Sequence, residues 1–367
     1  MSDIVIKGGY GLRNFGDDAL MYYLIKSIEN KLPKATIALD CNKAKYIANW
    51  FPQVTFAHPY QVPEKAYVYG GGTLYYSFPK KIKAKSLSHK VKLAVTQPSL
   101  AINKLLAKSR KAKFSNSNVK KIMLGLGFGP FHIKDEQYEQ AIVDAKNTDI
   151  VCVRDSKSFD FVSSHKTSAF HGTDICFAKG IVNKSTIDSA NKVNSIGVII
   201  RDWNYGTEED DYKNNLLEAV SLLRANNYKV QFIVFSDLRD NDWLDTLKTI
   251  NEDILVWNPD IDTIQNFMDT LNNFDLFISA RFHGVIFSTL LNKPAISIAI
   301  EPKLELVTEN AVCKVWHPMN DNKEQLLNFV NDYSSEYEKS VLDCKNLVAK
   351  KSKLYSDMLD FAFKGSL

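Results

Sequence analysis

The sequence predicts an α/β protein built from two doubly wound, parallel-sheet (Rossmann-like) domains that face each other across a cleft. Three observations predict it. Short apolar runs alternate with helical stretches along the chain, and strands separated by helices make parallel βαβ units with right-handed crossovers. The chain has 367 residues, more than single domains usually hold. The polar stretch Asn183 to Asn194 interrupts the alternation, which then restarts, so residues 1–182 and 183–322 read as two domains and 323–367 as a tail.

The first half opens with a strand, Ile4 to Lys7, and a glycine-rich turn. Asp17, Asp18 and the spacing Leu20, Leu24, Ile28 then start a helix, with its acids where the helix dipole favours them. This turn is neither GxGxxG nor a P-loop, so a tight βα turn with capping acids is as good a reading as a ligand loop. Strands follow at Thr36 to Asp40 and Ala66 to Tyr69. The second runs into Gly70, Gly71 and Gly72, a run that costs backbone entropy unless a ligand or another backbone comes close. Tyr75 and Tyr76 read as packing rings more readily than as a sugar platform. Ile122 to Gly127 is a strand, Glu136 to Asn147 a helix, and Asp149 to Asp155 a strand that delivers Arg154 to the start of a helix at Ser156 and Ser158. Gly172, Thr173, Asp174 and the apolar run Ile175 to Ala178 end this half.

In the second half, strands are expected at Ile196 to Ile200, Val230 to Phe235, Ile254 to Trp257, Leu276 to Ser279 and Ala295 to Ile300. Helices are expected near Tyr212 to Asn226, Asp240 to Ile250, Asp262 to Asn272 and Val285 to Leu291. The stretch Asp275 to Lys303 concentrates the chemistry: Arg281 and His283 end one strand, Gly284 follows, and Lys303 lies beside Glu301 past the next. Ligands of parallel sheets collect at the carboxyl ends of strands, beside helix N-termini, so this group suits an anionic substrate. The competing reading is an Arg281 ion pair and a packing histidine. Arg201, Trp203 and Tyr205 either floor an acceptor sugar or cover a domain edge. The helical tail, Lys323 to Phe363, is expected to pack across both domains.

Composition narrows the class. Five scattered cysteines without a CxxC pair point to reduced thiols, and no histidine spacing suggests a metal, so neither metal nor cofactor is expected. No secretory signal and no apolar run near the ~18 residues of a membrane span are visible, so a cytoplasmic protein is expected. The net charge is only +4, yet Lys80 to Lys121 holds thirteen Lys and Arg and no acid. Alternating apolar residues make this run suited to an anionic membrane surface; a solvated insertion is the alternative, and nucleic acid lacks a recognition motif.

In order along the chain, GYGLRNFGDDAL, GGGTL at 70–74, VRDSKS at 153–158, GTDICF at 172–177 and SARFHGVIFSTLLNKPAISIAIEPK at 279–303 resemble the polysaccharide pyruvyl transferase family. The last motif is the most specific, and the lysine-rich run is no part of the pattern. The resemblance implies a GT-B-like fold and transfer of pyruvate from phosphoenolpyruvate onto two hydroxyls of a sugar in a bacterial surface glycan or its precursor, lipid-linked or free. A cyclic ketal forms and phosphate leaves. It implies Arg281 and His283 at the donor, Arg154 as a second anion clamp, and Lys303 and Gly284 beside them, with the C-terminal domain as donor side. Asn14, Asp17, Asp18, Gly71 and Gly72 would face the cleft from the N-terminal, acceptor side.

Phosphoenolpyruvate carries a carboxylate and a phosphate, each suited to arginine's two-pronged hydrogen bonding. In the expected reaction His283 protonates the methylene carbon, since histidine ordinarily titrates near neutrality, and Asp17 or Asp18 takes a hydroxyl proton. Two other readings stay open: a glycosyltransferase with Arg281 and Lys303 against a nucleotide-sugar diphosphate, and an inactive scaffold of the assembly machinery.

Overall fold

The computed structural model describes residues 2–77, 113–115, 117–131, 133–166, 168–178, 192–203 and 209–364. Tyr205, most of the lysine-rich run and most of the Asn183 to Asn194 linker lie outside the described residues.

Seven strands form the first sheet: β1 (Ile4–Lys7), β2 (Ile37–Asp40), β3 (Thr55–Phe56), β4 (Ala66–Ser77), β5 (Lys120–Phe131), β6 (Ile150–Val153) and β7 (Phe170–His171). Six form the second: β8 (Ser195–Ile199), β9 (Lys229–Val234), β10 (Ile254–Val256), β11 (Leu276–Ser279), β12 (Ala295–Ile298) and β13 (Cys313–Trp316). The spatial orders are β3-β2-β1-β4-β5-β6-β7 and β10-β9-β8-β11-β12-β13, and every pairing is parallel. Strand order therefore reverses between β1 and β4 in one sheet and between β8 and β11 in the other. Such reversals leave a crevice at the carboxyl ends of the strands, because the chain leaves neighbouring strands toward opposite faces.

The strands are buried on both faces, with Ile4, Val5, Ile6, Leu276 and Ile278 wholly or almost wholly inaccessible, as parallel sheets covered by helices require. Helix α1 (Phe15–Lys31) is apolar around most of its circumference, burying Leu20, Met21, Leu24, Ile25 and Ile28. Its cap is Asn14, whose side chain accepts from the Gly16 N–H at 3.2 Å. The sequence missed short edge elements: α2 (Lys45–Trp50), β3, β7 and β13. Strands of two to four residues give too few positions for periodicity to register. The glycine run belongs to β4, which continues to Ser77, and β5 likewise runs on to Phe131. The run Ile175–Phe177 is a 3-10 helix capped by Asp174.

The two sheets are joined by α1. Phe15 has no exposed surface and sits among Phe235, Trp257, Phe267 and Phe287 of the second half, at ring-centroid distances of 5.0, 4.9, 4.7 and 4.8 Å. Its N–H donates to the Phe235 carbonyl at 2.9 Å. Arg13, held at φ 52°, reaches across to Asp237 at 3.1 Å, Asp260 at 2.5 Å and Asn258 at 2.8 Å. The tail runs the other way. Helix α10 (Lys323–Ser335) buries Leu326 and Val330 in the core of the second half, whereas α11 (Tyr337–Phe363) places Tyr355, Met358 and Phe363 in a core shared with α1. Tyr355 donates to Ser27 at 2.7 Å, and the Phe361 and Phe170 rings stack.

Candidate active site

Both crevices open into one cleft of about 720 Å³. After β1 come Gly9, Tyr10, Asn14 and Asp17; the middle of the long strand β4 supplies Gly71, Gly72 and Thr73. Arg154 follows β6, Arg201 and Asp202 follow β8, and Arg281, Phe282 and His283 follow β11. Lys303 and Glu301 complete the wall beyond β12. The predicted residues Asn14, Asp17, Gly71, Gly72, Arg154, Arg201, Arg281, His283 and Lys303 thus meet at one place, although up to 289 positions separate them.

Gly71 and Gly72 adopt φ of +66° and +71°, a left-handed backbone that side-chain-bearing residues resist. A Cβ on Gly72 would point toward Leu20 and Asp17, so this bare backbone forms the floor beneath α1. Helix α8 (Phe282–Leu290) starts three residues earlier than its apolar pattern suggested, which puts His283 in its first turn, near the positive end of the dipole. Arg281 occupies its cap position.

The cations are not bare. Arg281 gives both oxygens of Asp240 a 2.5 Å contact from Nη2, and its Nε donates to the Ile200 carbonyl at 3.2 Å. Arg154 donates to Asp174 at 3.0 Å and to Thr73 at 2.9 Å, with its guanidinium 4.1 Å from the Phe282 ring centre. Lys303 lies 2.8 Å from Glu301, and Arg201 pairs with the same oxygen. Five Arg or Lys and four Asp or Glu line the cleft, so its formal charge is nearly balanced. The Arg281 ion pair that the sequence left open is therefore present, because burying so many guanidinium groups without counter-charges would be prohibitive. Donor capacity survives the pairing. Arg281 Nη1 has no partner among the described residues, and the Arg154 Nε is buried 3.6 Å from Asp155 Oδ2 without a hydrogen-bond partner. Burial pushes the Lys303 ammonium down to about 8, against the pull of Glu301.

Three predicted residues have other places. Asp18 does not reach the cleft: it has no exposed surface and accepts from Tyr46 at 2.6 Å and from the Trp257 indole at 3.0 Å. Neighbouring positions on a helix point about 100° apart, which lets Asp17 face the cleft while Asp18 turns into the core. Gly284 lies on the face of α8 that packs on β11, where a Cβ would stand 2.3 Å from Ser279 Oγ; close helix–strand packing explains it without a donor. Trp203 stacks with Arg201 at 5.0 Å and is not part of the cleft wall. Tyr205 lies outside the described residues.

Asp174 and Asp240, the wholly buried partners of Arg154 and Arg281, were not singled out from sequence. Asp174 stands in the GTDICF motif, so a signal existed; Asp240 stands at the head of an expected helix, where an acid is ordinary. Asp174, Cys176 and His283 each offer a ligand atom within 4.8 Å of the others, a grouping no sequence spacing announces. Arg154 already meets the Asp174 charge, however, and burial together with Asp174 pushes the Cys176 thiol well up, which disfavours the thiolate a metal needs. The trio is best described as a packed polar cluster, in which Asp174 accepts from the Cys176 N–H and lies at ion-pair distance from His283. All five cysteines are free thiols.

The family model of polysaccharide pyruvyl transferase matches residues 14–302, from the cap of α1 to the loop before Lys303. The chain belongs to the polysaccharide pyruvyl transferase family. As a member it is a transferase of polysaccharide biosynthesis with a sugar acceptor. No curated protein matches its sequence significantly. Among solved structures it is similar to Anabaena HepE in complex with UDP and glucose, at TM-score 0.54 and 13% identity over 98% of each chain. It is also similar to the Neisseria meningitidis UDP-GlcNAc 2-epimerase bound to UDP-GlcNAc, at TM-score 0.53 and 10% identity, covering 98% of this chain and 99% of that one. The Methanocaldococcus jannaschii UDP-GlcNAc 2-epimerase gives TM-score 0.52 and 11% identity, over 89% and 91%. At such identities the likeness establishes the GT-B-like fold of the transferase. Among the described residues no helix is long and apolar enough to cross a membrane.

Proposed function

We propose that this pyruvyl transferase family member moves pyruvate from phosphoenolpyruvate onto two hydroxyls of a sugar in a glycan or its precursor, closing a cyclic ketal and releasing phosphate. The observation that carries the reading is the convergence of Arg154, Arg281, His283 and Lys303 on one cleft where both sheets reverse their strand order. A volume of about 720 Å³ has room for a three-carbon donor and a sugar together.

In this reading the donor lies on the side of Arg281 and Lys303, with Arg201 joining them through Glu301, and Arg154 grips its second anionic end from the opposite sheet. The sugar lies over Asn14, Asp17 and the bare backbone of Gly71 and Gly72. His283 protonates the methylene carbon, and the electron-poor central carbon takes the first hydroxyl oxygen while Asp17 accepts its proton. The carbon–oxygen bond to phosphate then breaks, phosphate departs with the bonding pair, and the second hydroxyl closes the ring as its proton passes to the departing phosphate. Asp17 suits the base because Asn14 orients it at 2.8 Å while its carboxylate still lines the cleft. The lysine-rich run, in the same reading, holds the enzyme at an anionic membrane surface where a lipid-linked acceptor would be presented.

Incubation with phosphoenolpyruvate and a panel of acceptor glycans should release phosphate and add the mass of a pyruvate ketal. Arg281→Lys, which keeps the charge and loses the fork, should reduce that release at least about tenfold. Nucleoside diphosphate release from a sugar donor, with none of phosphate from phosphoenolpyruvate, would replace this reading by glycosyl transfer. Activity untouched by Arg281→Lys would remove the cleft from the reaction.

A further inference from the structure

His283 belongs to the second half of the chain but is held by the first. Its Nε2 lies 3.5 Å from Asp174 Oδ2, an ion-pair distance longer than an ordinary hydrogen bond, and is shielded from solvent with no closer partner. On the other side the ring presses on the start of α1. A Cβ built on Gly16 would stand 2.5 Å from its Nδ1 and 2.8 Å from its Cγ. Gly16 is flanked by Phe15 and Asp17, and Asp17 faces the cleft. The imidazole is therefore clamped between a carboxylate and a helix N-terminus, both from the opposite sheet.

Asp174 has no exposed surface and spends Oδ1 on the Cys176 N–H at 3.0 Å, leaving Oδ2 to Arg154 Nη1 at 3.0 Å and to His283. Burial by itself would push this carboxyl up, but the charges of His283 and Arg154, with the Cys176 N–H it accepts from, outweigh it and hold it well below the usual carboxylate range. Asp174 is thus a fixed anion, able to accept a proton-bearing nitrogen and unable to give a proton. His283 still lines the cleft although Nε2 cannot reach it, so any proton it exchanges there must pass through the other nitrogen.

We propose that Asp174 is a positioning residue for His283: it holds the imidazole through a protonated Nε2, so that Nδ1 is the nitrogen that hands a proton into the cleft. After transfer the ring is neutral and keeps the Nε2 proton, while Asp174 stays ionised. A side chain that orients a catalytic histidine through its remote nitrogen acts on turnover by setting tautomer and angle. Because Asp174 and His283 come from different sheets, the arrangement exists only while the two halves are apposed, which the Phe15 and Arg13 contacts enforce.

The first test does not depend on turnover. Nitrogen-15 spectra of histidine-labelled full-length protein, with the His283 signals assigned from His283→Gln, should show the neutral ring protonated on Nε2 at about pH 8.5. A neutral ring protonated on Nδ1 would overturn the proposal. The second test rests on the pyruvyl-transfer reading. Asp174→Asn should lower kcat for phosphate release at least about tenfold in the parent enzyme and less than twofold in a His283→Gln background. Its effect on the KM for phosphoenolpyruvate, exerted through Arg154, should be the same in both. Equal kcat losses in the two backgrounds would mean that Asp174 serves only the packing of the GTDICF turn, and would overturn the proposal. If no phosphate is released even by the parent enzyme, the donor assignment fails while the spectra still decide the tautomer.

Discussion

Replacing Asp18 by asparagine should leave turnover nearly intact and remove a pH-dependent weakness in the fold. The carboxylate lies in the wall between the two halves, with no exposed surface, receiving hydrogen bonds from Tyr46 and Trp257. Burial pushes it up from 3.8 to about 7, against those two hydrogen bonds, which favour the ionised form. The native state therefore retains a proton that the unfolded chain gives up. Stability from this group is fully present below about pH 4, is lost as pH rises, and stays lost above about 7. At about 1.4 kcal/mol per pH unit, and with the native group half ionised at about 7, the part lost between pH 5 and pH 7 is roughly 2 kcal/mol. The carboxamide introduced by Asp18→Asn cannot ionise, accepts from the Trp257 indole with its oxygen, and donates to the Tyr46 oxygen with its nitrogen. Denaturant unfolding of both proteins at pH 5 and pH 8 should show the variant gaining roughly 3 kcal/mol on the parent between the two. Identical pH dependence would refute the argument. A tenfold loss of turnover with unchanged stability would return Asp18 to the chemistry.

Three further outcomes are expected. With Lys303 brought down to about 8 by burial, phosphoenolpyruvate binding should weaken as pH rises through that value. The KM of the parent enzyme should climb up to about tenfold per unit above it while Lys303→Arg stays flat to about pH 9.5, and a flat parent profile would exclude Lys303 from the donor. Gly16→Ala drives a methyl group into His283, so the ring must shift by about 1 Å and kcat should fall about 100-fold, with the overpacking also lowering the melting temperature by a few degrees. Unchanged kcat would show that His283 position is immaterial. Phe15→Ala empties the aromatic nest between the halves and should cost about 3–5 kcal/mol in denaturant unfolding; a loss below about 1 kcal/mol would mean the halves are held elsewhere.

The GYGLRNFGDDAL motif shows how far a one-dimensional reading extends. It marked a glycine turn and a helix start, and both are there, yet its polar and aromatic residues divide in ways no spacing reveals. Asn14 and Asp17 face the cleft, whereas Arg13, Phe15 and Asp18 fasten one half to the other. The lysine-rich run was prominent in composition but falls mostly outside the described residues, so its role rests on charge alone.

From sequence alone came the parallel α/β class, the carboxyl-edge location of Arg154, Arg281 and His283, and the family. These follow from local causes: apolar runs of strand length, helical spacing between them, and polar residues where a strand ends. Only the tertiary structure decided which charges meet. Asp240 sits 41 positions before Arg281, and Asp174 lies 109 positions before the His283 it touches. Side-chain partners across a cleft depend on how two sheets dock, and docking is set by the summed packing of Phe15, Trp257 and their neighbours, which no single stretch of the chain encodes.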